Sequence, residues 1–343
     1  MFYKELTDSI KACLNCHLVP FIQGSPGIGK SDIVKAIAES RKLKVIDVRL
    51  SQCDPTDLSG LPRFNGDKAE FVPFDIFPLE GASKPKGFDG WLVFLDEINS
   101  ASRAVQAAAY KLVLDRMVGQ KKLHPDVFVI CAGNKDTDNA ITNNLSTALR
   151  SRFITLPLEI DYKQWLEWAT DNKVDFRITS FIAYKGLNGL CDFDPEKSDS
   201  SYACPRTWVM ADKLVKEMTA RKIPLADFQS LFEGTVGNIA SEFLSFAEVT
   251  SLLPDMKNIL NGSEHPKDDI QTGLKYLIMG YIAEHSDEVK KEEEAKNVLD
   301  YITEFGNDFI PPYCMTAIKR NPKLPAFKAF QAAVRRFNKW LSN

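Results

Sequence analysis

A glycine-rich loop, GSPGIGKS, spans residues 24–31 and matches the pattern G-x-x-x-x-G-K-[ST]. Backbone N–H groups of such a loop wrap around phosphate oxygens, and glycine is needed where a Cβ would clash or φ is unusual. In this pattern Lys30 reaches the β- and γ-phosphates and the Ser31 hydroxyl is a ligand of Mg²⁺. The predicted nucleotide-binding residues are Gly24, Ser25, Pro26, Gly27, Ile28, Gly29, Lys30, Ser31 and Asp32.

An acidic pair, Asp96 and Glu97, ends the apolar run LVFLDE about 65 residues after the loop. A carboxylate pair at the tip of a strand beside a phosphate-binding loop can hold a metal ion and orient an attacking water. We therefore expect Asp96, with Ser31, to hold Mg²⁺ and Glu97 to polarise the water. The alternative, in which the pair only caps the following helix, does not account for the loop. The two motifs together predict an NTPase.

These motifs need a scaffold, and the first 160 residues supply alternating strand-like and helical patterns. Short apolar runs rich in Val, Ile, Leu and Phe are typical of strands buried on both faces, and alternation with helices indicates a parallel sheet. A β-like run precedes the glycine-rich loop and a helical one follows it, as the pattern requires. The predicted strands are 19–24, 44–51, 91–97, 126–134 and 152–159.

Residues 52–90 interrupt this alternation, because they are rich in Pro, Gly, Phe and Asp and show no clear helix. A segment of that length inside a compact domain is typically functional. The stretch RFNGDKAEF holds an Asn-Gly pair that suits a two-residue hairpin turn. Phe64, Phe71 and Phe74 would either grip another protein or pack the insert onto the core. After about residue 160 the pattern is mostly helical.

Composition excludes several classes of protein. The 343 residues are 44% hydrophobic and 26% charged, with a net charge of −3, which is typical of a soluble globular chain and not of a generally basic nucleic-acid binder. No apolar run approaches the roughly 20 residues that span a bilayer, and the N-terminal residues mix charges into an amphipathic pattern without the apolar core of a signal peptide. We therefore expect a cytoplasmic protein that does not associate with a membrane. The seven dispersed cysteines suggest reduced thiols. Cys13, Cys16 and His17 match a haem-attachment spacing, which is disfavoured because that chemistry normally occurs outside the cytosol.

The ordered set GSPGIGKS, FLDEIN, CAGN and LRSRF resembles an AAA+ ATPase of the MoxR-like and dynein-related branch. The stretches DVRLSQCDPTDLSGLP and DEINSASRAVQAAAYKLVLD are similar to segments of that branch. The resemblance implies an α/β P-loop fold, with an αβα core around a five-stranded parallel sheet, then an α-helical lid and a helical C-terminal extension. The implied division is a core at 1–160 with the insert at about 52–90, a lid at 161–253 and an extension at 254–343.

The resemblance also implies catalytic roles for four further residues. Asn134 matches the sensor-1 position, where a polar side chain orients water toward the γ-phosphate. Arg152 matches the arginine finger that enters a neighbouring subunit's site, and Arg150 shares that role or forms a salt bridge between subunits. Arg206, in CPRTW, is similar to the sensor-2 arginine of the lid. The segment SAS after DEIN departs from relatives that carry an arginine and prolines, so the contacts of Asn99 and Arg103 are left open.

An arginine finger supplied by a neighbour implies a homo-oligomer, and the family usually forms a hexameric ring. The favoured hypothesis is a chaperone-like ATPase of the MoxR type that remodels or activates a separate protein, for example one with a von Willebrand A domain. A nucleic-acid motor or loader is the alternative, supported by Lys328, Arg335, Arg336 and Lys339 but not favoured by the overall charge. A switch with little turnover is disfavoured because Glu97 and Arg152 serve hydrolysis.

Overall fold

The computed structural model describes residues 1–135, 137–138, 145, 147–197, 200–267 and 269–341. It divides into two compact units, the first formed by Met1–Ile160 with Asp194–Ser198 and the second by Asp161–Phe193 with Asp199–Asn343. Within the described residues, no helix combines the length and apolar character needed to cross a bilayer. The predicted boundary between lid and extension, at residue 253, stays a prediction.

The first unit holds all the strands among the described residues, and the second is helical. The strands are β1 (Val19–Gln23), β2 (Leu43–Arg49), β3 (Leu61–Asn65), β4 (Lys68–Val72), β5 (Gly90–Asp96), β6 (Met117–Val118), β7 (Lys121–Lys122), β8 (Val127–Gly133) and β9 (Phe153–Pro157). The helices of the first unit are α1 (Tyr3–Asn15), α2 (Lys30–Ser40), α3 (Pro55–Ser59), α4 (Arg103–Asp115) and α5 (Thr147–Arg150). Those of the second are α6 (Tyr162–Asp171), α7 (Phe176–Lys185), α8 (Leu187–Leu190), α9 (Pro205–Ala220), α10 (Gln229–Val236), α11 (Ala240–Glu248), α12 (Met256–Leu260), α13 (Thr272–Glu284), α14 (Glu292–Phe305), α15 (Ile310–Arg320) and α16 (Lys328–Leu341).

The predicted five-stranded parallel sheet is confirmed, with the strand order β2-β5-β8-β1-β9. Successive side chains of β5 enter opposite cores, because side chains alternate across a strand. Trp91 and Val93 join the core beneath α3 and α4, whereas Leu92 and Phe94 join the core beneath α1 and α2. Helices therefore cover both faces of the sheet, as the αβα prediction requires.

The prediction that all five strands are buried on both faces is wrong for β2 and β9. These strands lie at the two edges of the sheet, and about half of their residues are exposed. Ile154 of β9 is one example. Only the three inner strands are covered on both sides by helices and on both edges by neighbouring strands. Apolar composition alone does not distinguish an edge strand from an inner one.

The insert forms a hairpin in which β3 and β4 pair antiparallel, and the short helix α3 precedes it. Asn65 pairs with Lys68, so the two-residue loop is Gly66-Asp67 and begins one residue after the start of the expected Asn-Gly pair. Gly66 has a φ of +62°, a left-handed value that glycine adopts at little cost. The alternative in which Phe64 packs onto the core is wrong, because its side chain is 79% exposed.

The second unit contains two apolar cores. Helices α7, α9, α10 and α11 each contribute one ring to an aromatic group, in which Phe243 contacts all three others: Phe181, Trp208 and Phe232. Helices α12–α16 surround the other core, which includes Ile302, Tyr313 and Phe330. Helices α7 and α13 pack closely, since a Cβ at Gly280 would lie 2.0 Å from Ser180 Oγ.

Candidate nucleotide-binding site

The glycine-rich loop connects β1 to the first residue of α2, so backbone N–H groups at the start of the helix face the loop. Gly29 precedes the helix with a φ of +96°, and Gly27 also has a positive φ, +76°. A Cβ at Gly24 would lie 2.6 Å from Ile28 Cδ1 and 3.1 Å from the carbonyl oxygen of Leu158, so a side chain there would displace its neighbours. The glycines thus serve the backbone course and close packing that a phosphate-binding loop requires.

The ammonium group of Lys30 lies inside the bend of the loop. Its Nζ donates hydrogen bonds to the carbonyl oxygens of Gly24, at 2.5 Å, and Ser25, at 3.0 Å. It also donates to Asn134 Oδ1 at 3.0 Å. A single positive charge therefore connects the phosphate-binding loop with the residue at the end of the neighbouring strand β8.

Asp96, the last residue of β5, lies beside the first turn of α2. Ser31 Oγ donates to Asp96 Oδ2 at 3.4 Å, and the backbone N–H of Glu97 donates to Asp96 Oδ1 at 2.9 Å. Burial raises the pKa of the Asp96 carboxyl above its usual range, against the opposing effects of the Glu97 hydrogen bond and the Lys30 charge. A carboxylate and a hydroxyl together fit the oxygen ligands that Mg²⁺ prefers.

Glu97 follows the strand with a φ of +57°, in the left-handed region that non-glycine residues rarely adopt. Such conformations cluster at functional sites. Its carboxylate Oε2 accepts a hydrogen bond from Ser51 Oγ, just after β2. The charge of Glu97 contributes to the raised pKa of the Asp96 carboxyl. Sequence reasoning did not single out Ser51.

Asn134 follows β8, so its side chain lies at the same edge of the sheet as the glycine-rich loop and the acidic pair. Asn99, only 1% exposed, contacts its backbone at two points. Asn99 Nδ2 donates to Asn134 O at 2.8 Å, and Asn99 Oδ1 accepts from Asn134 N–H at 3.2 Å. These contacts are what the sequence had left open for Asn99.

Asp138 is a second residue of the site that sequence reasoning missed. Its side chain is 6% exposed and accepts hydrogen bonds from Ser25 Oγ at 3.2 Å and from Lys135 N–H at 3.0 Å. A buried carboxylate thus connects the glycine-rich loop to the segment after β8. No motif marks this aspartate, since the partners Ser25 and Asp138 are 113 residues apart in sequence.

Arg150 and Arg152 lie near the amino ends of the parallel strands, opposite to the carboxyl ends where the glycine-rich loop and the acidic pair lie. Arg152 precedes Phe153, which pairs with Val19 at the amino end of β1, whereas the glycine-rich loop follows the carboxyl end. Four residue steps separate these ends, about 13 Å along a strand. Both arginines are exposed, and the Arg152 guanidinium lies 4.9 Å from the centre of the Tyr110 ring.

Arg206 lies in the second unit, exposed in the first turn of α9. Its assignment as the sensor-2 residue stays a prediction.

The structure brings five predicted residues together at the carboxyl edge of the sheet: Lys30, Ser31, Asp96, Glu97 and Asn134. No cluster of three or more His, Cys, Asp or Glu side chains suited to a metal ion is found in the described part of the chain.

Comparison with known proteins gives a family match. Residues 20–153 match the AAA domain of the dynein-related subfamily. The Nif-specific regulatory protein of Sinorhizobium fredii is 30% identical over 145 residues, which are 40% of this chain and 24% of that protein. The chain thus matches about a quarter of the length of that relative.

Solved structures of RuvB from Thermotoga maritima are also similar. The Holliday junction branch migration motor matches with a TM-score of 0.40 and 18% identity, over 75% of this chain and 73% of that one. A mutant of the same protein gives 0.43 and 17%, over 75% and 74%. Similarity at this level does not bear on function. The family match, together with the site geometry, identifies the matched segment as a nucleotide-binding ATP-hydrolase domain.

Proposed function

We propose that the whole chain is a ring-forming, Mg²⁺-dependent ATPase of the MoxR type that remodels a protein partner, since residues 20–153 match the AAA domain of the dynein-related subfamily. The observation that carries this proposal is the convergence of Lys30, Ser31, Asp96, Glu97 and Asn134 at one edge of the sheet. Each has the chemistry that one step of phosphoryl transfer to water needs.

In this mechanism the glycine-rich loop and the N-terminus of α2 hold the phosphates, and Lys30 exchanges its loop carbonyl contacts for phosphate oxygens. Ser31 and Asp96 would hold Mg²⁺, which neutralises charge on the phosphates when it is bound. Glu97 accepts a proton from the attacking water, and Asn134 orients that water. Since Asn134 and Lys30 are hydrogen-bonded, the residue that orients the water is connected to the residue that binds the phosphate.

The position of Arg152 supports a composite site. It lies at the amino ends of the strands, whereas the glycine-rich loop follows the carboxyl end of β1. If Arg152 stabilises a transferring phosphoryl group, that group therefore belongs to a neighbouring subunit, which requires an oligomer. A closed ring, for which we propose six subunits, gives every site one such neighbour.

The hairpin of the insert supports a protein partner. Phe64 and Phe71 lie on the same face of the hairpin and are both exposed, as is Phe74 after β4. Aromatic side chains contribute much of the binding energy at protein interfaces, and exposed apolar groups that share one surface are typical of an interaction site. We propose that this surface contacts the remodelled protein, for example one with a von Willebrand A domain.

Mixed rings test the proposal. Glu97→Gln subunits cannot activate water but still donate Arg152, and Arg152→Ala subunits retain Glu97 but lack the finger. In an equal mixture half of the sites keep Glu97 and half of those adjoin an intact finger, so roughly a quarter of the wild-type rate should return. The control mixes the variant carrying both substitutions with Arg152→Ala subunits, so that no subunit of the ring has the finger and no activity should return. Two inactive variants that stay inactive when mixed would contradict the composite site.

Purification of the Glu97→Gln protein with ATP tests the partner. A six-subunit particle holding a von Willebrand A protein supports remodelling. A particle that instead retains nuclease-sensitive nucleic acid, with a steep dependence on salt, favours a motor. That alternative has one structural observation in its favour, since Lys328, Arg335 and Arg336 are exposed on the C-terminal helix α16.

A further inference from the structure

Asn99 has no role in the functions described so far, although it is among the most deeply buried polar residues of the molecule. It lies two residues after Glu97, in the turn that leaves β5. Its carboxamide forms one hydrogen bond to the carbonyl oxygen and one to the N–H of the Asn134 backbone. A buried amide with both ends paired to one residue fixes the position of that residue.

The turn itself continues the pairing of the sheet. The N–H of Ile98 donates to Ala132 O at 3.1 Å. The Asn99 side chain then forms hydrogen bonds with the backbone N–H and C=O of Asn134, where the backbone of a strand would otherwise pair. Hydrogen bonds therefore join residues 98 and 99, which follow Glu97, to residues 132 and 134 of the neighbouring segment. These contacts hold the backbone that follows Glu97 against the backbone of Asn134, and so set the positions from which the two side chains extend.

Gly133 supplies an independent observation, because the backbone beside Asn134 is shaped to admit Asn99. A Cβ on Gly133 would lie 2.2 Å from Asn99 Oδ1 and 2.8 Å from Asn99 Cγ. That residue has no positive φ and needs glycine only for the close approach. The missing side chain of Gly133 in β8 therefore leaves the space that the Asn99 amide occupies.

We propose that Asn99 is a positioning residue for hydrolysis, which sets the Asn134 side chain relative to Glu97 and so couples the residue that activates water to the residue that orients it. Asn99 touches neither nucleotide nor water and acts through Asn134. The inference rests on the proposed ATP hydrolysis, because Asn134 and Glu97 have their roles there.

The first variant is Asn99→Leu, which keeps a similar volume and removes both hydrogen bonds. A displaced orienting residue lowers kcat, and losses of about ten- to a hundredfold are typical of a small misplacement. The KM for ATP should stay within about twofold, since the glycine-rich loop is unaltered and Lys30 loses only its contact with Asn134 while keeping those with the Gly24 and Ser25 carbonyls. An unchanged kcat, or an increase in KM alone, would overturn the proposal.

A double-mutant cycle with Asn134→Ala separates positioning from simple stabilisation. If Asn99 acts through the Asn134 side chain, Asn99→Leu should change kcat by less than about twofold once that side chain is absent. If Asn99 only stabilises the fold, its effect on kcat in the Asn134→Ala background equals its effect in the wild type. Additive losses would therefore refute the positioning role.

A matched control is Asn321→Leu. Asn321 is a buried asparagine of the second unit whose Nδ2 donates to the backbone carbonyls of Ser286 and Val289. Its loss should lower Tm as much as Asn99→Leu does, with kcat unchanged. An equal decrease in kcat for both variants would assign the effect to stability and overturn the proposal.

Gly133→Ala provides a second route if Asn99→Leu does not fold. The added methyl group forces the Asn99 amide away from Asn134 without altering Asn99 itself, and kcat should decrease with KM retained. Normal kcat in Gly133→Ala would overturn the proposal. Failure of the proposed function is distinguishable, because in that case the wild type itself and Glu97→Gln would hydrolyse ATP equally.

Discussion

The carboxyl edge of the sheet and the hairpin of the insert belong to the same unit but are built in opposite ways. At the edge, polar side chains are partly or fully buried, and Lys30, Asn134 and Asp138 are joined to one another or to the glycine-rich loop by hydrogen bonds. On the hairpin, apolar side chains are exposed and Phe64 is the extreme case. The arrangement reverses the usual distribution, in which apolar groups are buried and polar groups face water.

The difference indicates two kinds of work. Catalytic groups must be held in place before the substrate arrives, which requires buried and satisfied hydrogen bonds. A surface that contacts changing conformations of a partner needs exposed apolar area and few fixed contacts. Substitutions at the edge should therefore alter hydrolysis, whereas those on the hairpin should leave it alone.

Two glutamates compare the regions most directly. Both Glu97 and the hairpin residue Glu70 accept a hydrogen bond, from Ser51 and Arg63 respectively. Glu97→Gln should lower kcat by about 10²- to 10⁴-fold, the usual contribution of a general base. Glu70→Gln should leave it unchanged. Steady-state hydrolysis, with nucleotide binding measured by fluorescence, checks both, and retained hydrolysis in Glu97→Gln would show that another group activates the water.

Asp138 tests whether hydrogen bonding supports the glycine-rich loop. Asp138→Ala leaves the Ser25 hydroxyl and the Lys135 N–H without their partner, which should cost about 1–3 kcal/mol of unfolding free energy. Asp67→Ala, in the hairpin loop, should change it by less than about 0.5 kcal/mol. Denaturant unfolding measures both, and equal values would contradict the comparison.

Asp96→Asn should make the protein more stable and less active. Burial raises the pKa of this carboxyl, so its ionisation opposes folding as pH rises through the interval between its usual value of 3.8 and its raised value. The variant should gain unfolding free energy over wild type across that interval and keep the gain at neutral pH. Below the interval the two curves should meet. Thermal unfolding across a pH series measures this, and a variant less stable at pH 7 would contradict the prediction.

Phe64→Ser should have the smallest effect. An exposed side chain contributes little to folding, so the unfolding free energy should change by less than about 0.5 kcal/mol and basal hydrolysis should be unchanged. A marked loss of either would show that the hairpin belongs to the catalytic structure. That result would contradict the division of roles between the hairpin and the carboxyl edge of the sheet.

Much of this molecule was predictable from local patterns. The five strands of the sheet were recognised from apolar runs, and the glycine-rich loop and the acidic pair from their motifs. Asn134 was found only through resemblance to a family. No motif or local pattern predicted the contacts of Ser51, Asn99 and Asp138, because the sequence around a polar residue between strands does not show whether its side chain is buried or exposed. The exposure of β2 and β9 was missed for a related reason, since the sequence of one strand does not show its position in the sheet.

The sequence by itself determined which residues could bind phosphate and activate water, because glycine spacing, a lysine and an acidic pair are chemical requirements that act over a few residues. Only the tertiary structure decided which of them meet and what holds them. Asn99 and Asn134 are 35 residues apart, and Ser25 and Asp138 are 113 apart, yet each pair is in hydrogen-bond contact. These contacts exist because parallel strands with the order β2-β5-β8-β1-β9 bring their carboxyl ends to one edge.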